Sequence, residues 1–260
     1  MIVSGHIDNA ADGPIAIVTI NRPEKLNALD MDLIEGLEHA FLNIGSDRSI
    51  RCAILTGAGE KSFCAGGDIE AWSGLSPQEF AEHWVREGHR VFDIIARLRQ
   101  PLIACLNGHA LGGGLELAAC ADFRVAEEHV KIGSPETGIG VIPGWSGTQR
   151  FARRFGSQVT RRMALGGEIF TASEALALGI VDAVVPKGAG IARARAMAAK
   201  IAARGPRATQ TVKLLINAAE CEETSAALEI LAGGYVTHSV DTAEGVASYR
   251  EKRKPSFKGE

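Results

Sequence analysis

Two glutamates stand where a carboxylate is costly. Glu116 lies in Leu115-Glu116-Leu117-Ala118-Ala119-Cys120, a run otherwise apolar. Glu136 follows Ser134-Pro135 and sits between Ile132 and the glycine-rich apolar stretch 137–143. Burial of a carboxylate penalises its charged form and raises its pKa. A carboxyl group titrating near neutral pH is what general acid–base chemistry requires. Pairing with an arginine, or capping a helix, would account for either glutamate equally well, and neither residue alone decides the matter.

Two glycine-rich segments carry a second kind of chemistry. NGHALGGGLE (107–116) ends an apolar strand and opens an apolar helix. Three glycines there leave the backbone bare to a ligand. The first amides of a helix lack intrahelical partners, and the helix dipole adds positive character. Such a place suits a developing oxyanion. SFCAGGDIEAW (62–72) has the same character and supplies a second candidate amide. Two convergent donors would polarise a thioester carbonyl and stabilise its enolate, one donor contributing about 3 kcal/mol. The same glycines would also serve a tight strand-to-helix crossover, so both readings stay open on these residues alone.

Other motifs fail on spacing. Gly57-Ala58-Gly59 follows a strand but lacks the third glycine of a dinucleotide loop. GAGEKS (57–62) lacks the Gly-Lys-Ser order of a phosphate loop. GWSGT (144–148) ends in Thr where a nucleophile elbow needs Gly. His83 and His89 are six apart, whereas a helical zinc pair shares a face at i and i+4.

These residues need a scaffold, and the chain predicts one. Pro14 to Ile20, Arg51 to Thr56, Pro101 to Asn107 and Asp122 to Ala126 read as strands. Several are near-continuous apolar runs, as expected when both sheet faces are covered. Met31 to Asn43 reads as an amphipathic helix with Asp30 as N-cap, and Gln78 to Arg99 as a long helix. Strands alternating with helices imply an α/β core over residues 1–190. From 191 to 260 the pattern turns helical: Ile191 to Arg204, Arg207 to Ala219, Glu223 to His238 and Thr242 to Lys252. That region is the expected oligomerisation surface.

At 260 residues the chain is long enough for a substantial core. A net charge of −3 provides no broad basic field for nucleic acid or an anionic membrane. Five scattered cysteines form no paired framework and favour a reducing, cytoplasmic setting. The first thirteen residues lack the features of a signal or transit peptide. No apolar stretch reaches the ~20 residues of a membrane span.

Taken together, the segments resemble the crotonase, or enoyl-CoA hydratase/isomerase, family. The resemblance begins at NRPEKLNAL (21–29), passes through AGGD (65–68), ALGGGLE (110–116), SPE (134–136) and IPGWSGTQR (142–150), and ends at YREKRKPSFK (249–258). It implies an α/β spiral core of repeated ββα units with a C-terminal helical region for trimerisation. It implies that Gly67 and Gly113 donate the oxyanion-hole amides. Glu116 would then act as base toward a water, and Glu136 would exchange the proton at C2. Lys25, Leu26, Ala65, Asp68 and Ile69 would lie along the coenzyme A path, with Tyr249 and Lys252 reaching the CoA phosphates of a neighbouring subunit.

By that resemblance the substrate is an acyl-CoA thioester and the assembly a homotrimer or dimer of trimers. No metal, redox cofactor, nucleic acid or membrane is required, coenzyme A being part of the substrate. Both glutamates favour addition of water to a trans-2-enoyl-CoA over double-bond migration. An isomerase, a decarboxylase or a specialised-pathway hydratase on this framework remains an alternative, as does a non-catalytic or RNA-binding relative. Two positions depart from the family pattern. Trp145 stands where a small residue is usual, and Trp72 where Met is commoner. A bulky indole would reshape the acyl pocket or pack beneath a loop.

Overall fold

In the computed structural model, residues 14–224, 230 and 239–260 are described. Two parallel sheets organise the first unit, Met1–Thr211. Strands β1 (Ile15–Ile20), β2 (Cys52–Gly57), β4 (Leu102–Leu106), β6 (Phe123–Glu127) and β9 (Ala183–Val185) form the larger, in that order. Strands β3 (Ser62–Cys64), β5 (His109–Leu111), β7 (Lys131–Gly133) and β8 (Ile169–Thr171) form the smaller. Among the described residues only the β7–β8 pairing is antiparallel.

Consecutive strands therefore alternate between the sheets: β2 then β3, β4 then β5, β6 then β7. Helices close the turns. Helix α2 (Ile69–Trp72) follows β3, and α5 (Gly113–Ala119) follows β5. A 3₁₀ turn (Glu136–Ile139) follows β7. This is the ββα spiral the sequence led us to expect.

Hydrophobic burial on both faces fixes the larger sheet, since alternate residues of a strand point to opposite sides. Ala16, Val18, Ala53, Leu55, Leu102 and Ala104 face the main core, together with α1 (Met31–Ser46) and Phe92 and Ile95 of α4 (Arg86–Ala96). Ile15, Ile17, Cys52, Ile54, Ile103 and Cys105 face the other side, under Ala194 and Ala198 of α9 (Gly190–Ala202). Asp30 caps α1 as its sequence predicts, accepting from Leu33 N–H at 2.9 Å. The four cysteines 52, 64, 105 and 120 are buried and packed as small hydrophobes.

Two details depart from the sequence reading, and one expected helix lies largely outside the described residues. The long helix runs from α3 (Pro77–Glu79) to α4 but contains a π-helical turn, Phe80–Val85. Helix α9 belongs to the first compact unit, which ends at Thr211 rather than near 190. Its small residues fill the second face of the sheet, so it is core rather than appendage. Lastly, the segment Glu223 to His238 falls largely on residues 225–229 and 231–238, outside those described.

The second unit, Val212–Glu260, contains α11 (Val240–Glu251). Helix α10 (Pro206–Ala219) crosses the division between units. Ser239 caps α11 by accepting from Thr242 N–H. Asp241 accepts from the amides of Lys258 (2.6 Å) and Gly259 (2.7 Å), which ties the C-terminal strand of chain to the helix.

Candidate active site

Strands β3, β5 and β7 are neighbours in one sheet, so the turns leaving their C-terminal ends converge. Ligand sites of parallel sheets occur at such ends. Gly67 leaves β3, Gly113 leaves β5 and Glu136 leaves β7. Gly66 (φ +106°) and Gly112 (φ +53°) adopt backbone conformations that a side chain resists, and each turns its successor's amide. A methyl group on Gly66 would lie 3.2 Å from Gly113 N, and one on Gly113 would lie 3.4 Å from Gly67 N. Among the described residues neither Gly67 N–H nor Gly113 N–H donates a hydrogen bond.

Glu116 sits one turn into α5 and is 2% exposed. Its Oε1 accepts from Trp145 N–H (2.8 Å) and Gly147 N–H (2.7 Å). Burial, reinforced by the nearby negative charge of Glu136, pushes its carboxyl up to about 8 against those two amides and the Arg150 guanidinium. The Glu136 carboxyl is also raised, chiefly by burial, with Ser134 Oγ–H opposing through a 2.7 Å hydrogen bond to Oε2. Glu136 Oε1 is buried and has no hydrogen-bond partner among the described residues. A methyl on Gly112 would lie 3.1 Å from that oxygen. Gly67, Gly113, Glu116 and Glu136 all line one cavity of about 420 Å³. The arrangement places two free donors beside two carboxyl groups that titrate above their ordinary range.

The loop holding Glu116 could not be read from the motif alone. Ser146 takes a left-handed conformation (φ +76°), which turns the amides on either side toward one carboxylate oxygen. Its Oγ hydrogen-bonds His89 Nδ1 at 3.0 Å. The fully buried Arg150 donates to Asp93 (2.9 Å) behind this loop. Asn27 does similar work elsewhere: buried and left-handed, it accepts from Arg22 N–H and donates to the carbonyls of Ala58 and Ser62. A polar residue inside an apolar motif was the available signal for both.

All three tryptophans of the chain line the cavity. Trp145 is 3% exposed and packs on Trp84 and Phe92, with ring centroids 5.1 Å away in each case. Its Nε1–H donates to Trp84 O at 3.0 Å. The two readings of Trp145 thus merge, for the residue is both core and pocket wall.

The residues expected along the coenzyme A path divide. Ala65 and Ile69 line the first cavity. Leu26 and Ala65 line a second, of about 760 Å³, with Lys61, His109, His129 and Lys187. Ala65 and Leu111 border both. Asp68 and Lys25 line neither. Asp68 caps α2 through Glu70 N–H and pairs with Arg22 at 2.8 Å, while Lys25 pairs with Glu70. Tyr249, 86% exposed, and Lys252, the left-handed C-cap of α11, lie in the second unit. Among the described residues no group of His, Cys, Asp or Glu could hold a metal, and no helix is long and apolar enough to cross a membrane.

The family model described as enoyl-CoA hydratase/isomerase matches residues 10–260. A crotonyl-CoA hydratase of Syntrophomonas wolfei is 36% identical over 245 residues, covering 94% of each chain. A short-chain-enoyl-CoA hydratase of Clostridium acetobutylicum is 37% identical with the same coverage. A crystal structure of an enoyl-CoA hydratase from Bacillus anthracis superposes with a TM-score of 0.79 at 35% identity, over 97% of this chain and 98% of that one. The protein is an enzyme of the crotonase class, and the chain belongs to the enoyl-CoA hydratase/isomerase family.

Proposed function

We propose that this enzyme adds water to a trans-2-enoyl-CoA, giving a 3-hydroxyacyl-CoA. One observation carries the reading: the unbonded amides of Gly67 and Gly113 share a cavity with the raised carboxyl pair Glu116 and Glu136. The thioester oxygen accepts from both amides. Ionised Glu116, held by Trp145 and Gly147, takes a proton from a water whose oxygen bonds to C3. Negative charge moves to the thioester oxygen, where the two amides and the N-terminus of α5 stabilise it. Glu136 then delivers a proton to C2, and the enolate collapses to the thioester. The unpartnered Oε1 of Glu136 suits a group whose partner is the substrate.

The coenzyme A arm runs past Ala65 and Leu111 toward Leu26 and the second cavity, where Lys61 and Lys187 supply positive charge. In a trimer, or a dimer of trimers, Tyr249 and Lys252 would reach a neighbour's CoA phosphates. Loss of the enoyl absorbance with crotonyl-CoA tests the chemistry. No loss at micromolar enzyme, with CoA thioesters still bound, would overturn it. Light scattering coupled to size exclusion tests the assembly.

A further inference from the structure

Gly67 is ringed by indoles. A methyl group on it would lie 2.7 Å from Trp84 Cζ2, 3.5 Å from Trp145 Cη2 and 3.6 Å from Trp72 Nε1. Gly113 faces the same wall, with Trp145 Cζ3 at 2.8 Å from its would-be methyl. Aromatic residues are only 5% of the chain, yet every tryptophan lines the one cavity that Gly67 and Gly113 share.

The wall is fixed. Trp145 is tied through Nε1 to Trp84 O, and Gly88 has no side chain because the indole fills that space, with Nε1 at 2.2 Å from a would-be methyl. Trp84 and Trp145 meet at 42° with centroids 5.1 Å apart. Trp72 meets Phe80 edge-to-face at 5.5 Å and 62°. A rigid aromatic slot discriminates by shape. A flexible alkyl chain loses torsional freedom on entering it, while a planar ring attached directly to C3 loses little. The ring also gains the offset and edge-to-face contacts that aromatic faces prefer.

We propose that the acyl group this enzyme takes is aryl-bearing: a 3-aryl-2-enoyl thioester of cinnamoyl type, its ring held among Trp72, Phe80, Trp84 and Trp145. The proposal rests on the hydratase reading and specifies its substrate. Hydration of such a compound breaks the conjugation between ring and double bond, so the equilibrium favours the alkene. The turnover to follow is therefore the reverse one. In it Glu136 takes the C2 proton, the C3–O bond breaks, and Glu116 gives its proton to the departing hydroxide as water.

Binding and turnover are measured separately. Calorimetry with the unreactive thioesters 3-phenylpropanoyl-CoA, butanoyl-CoA and octanoyl-CoA reads the acyl class alone. The phenyl compound is expected to bind roughly tenfold more tightly than octanoyl-CoA. Turnover is followed as dehydration of 3-hydroxy-3-phenylpropanoyl-CoA beside hydration of crotonyl-CoA. Trp72→Leu, outside the interlocked core, is expected to lower the ratio of aryl to crotonyl kcat/KM by roughly fivefold. Tighter binding of octanoyl-CoA, or an unchanged ratio in Trp72→Leu, overturns the aryl assignment and leaves hydration standing. Tight aryl binding without turnover of either substrate overturns the hydratase reading and leaves the acyl class.

Discussion

Gly147 and Glu116 share one space: a methyl on Gly147 would lie 2.6 Å from Glu116 Oε1, the oxygen that Gly147 N–H already holds at 2.7 Å. The smallest side chain at 147 therefore displaces the carboxylate. Gly147→Ala is expected to lower kcat on crotonyl-CoA about 100-fold, the scale of an ångström-sized misplacement. KM should change little, and circular dichroism should remain that of the folded protein. Wild-type kcat in this variant would show that Glu116 tolerates displacement.

Removing each carboxylate tests the division of labour. Glu116→Gln and Glu136→Gln are each expected to lose about 10²–10⁴-fold in kcat with modest change in KM, as for groups acting in proton transfer. Steady-state kinetics on crotonyl-CoA checks both. Retention of hydration in either variant would remove that residue from the mechanism.

The raised carboxyl of Glu116 gives the enzyme a pH signature. Its value moves from an ordinary 4.5 to about 8 on folding, so between those limits the folded protein holds a proton that the unfolded chain has released. Its contribution to stability is complete below the lower limit and is lost as pH rises through the upper one, with a slope of at most about 1.4 kcal/mol per pH unit. Denaturant titrations between these limits should show a flatter dependence in Glu116→Gln, whose amide oxygen still accepts from Trp145 and Gly147. Activity runs the other way, rising with pH toward 8 as the base form accumulates. Parallel stability curves for the two proteins would refute the assignment.

Ser146 carries strain in exchange for orientation. Ser146→Ala keeps the unfavourable φ and loses the His89 hydrogen bond, for an expected cost of about 1 kcal/mol. Ser146→Gly loses the same bond but relaxes the backbone, so it should be the more stable of the two. Urea midpoints order them, and the reverse order would contradict the left-handed geometry.

Gly88→Ala would force the Trp145 indole from its seat. Overpacking of this kind costs about 1–3 kcal/mol, read as a shift in the urea midpoint. A change in acyl preference should accompany it. Stability and preference both equal to wild type would mean the indole moves freely.

The layout was largely legible because its signals are local. Asp30 caps a helix, apolar runs mark strands covered on both faces, and a triple glycine marks the strand-to-helix turn that opens α5. Glu116 was visible because a carboxylate among Leu, Ala and Cys is anomalous. What holds it was not legible, since the amides of Trp145 and Gly147 carry no side-chain signature and converge only through the φ of Ser146. Nor was the π-helical turn that brings Trp84 against Trp145, because one extra residue in a helical turn leaves the hydrophobic periodicity nearly intact. The mutual fit of Gly88 and Trp145 joins residues 57 apart, which no local pattern reports.

Because successive strands change sheets, the candidate site is assembled from three turns: the Gly67 amide after β3, the Gly113 amide and Glu116 together after β5, and Glu136 after β7. The three loops are chemically independent parts mounted on one frame. On the proposed mechanism, replacing Glu136 would alter which proton moves without unsettling the two amides, so new reactions on the same thioester would become reachable by single substitutions.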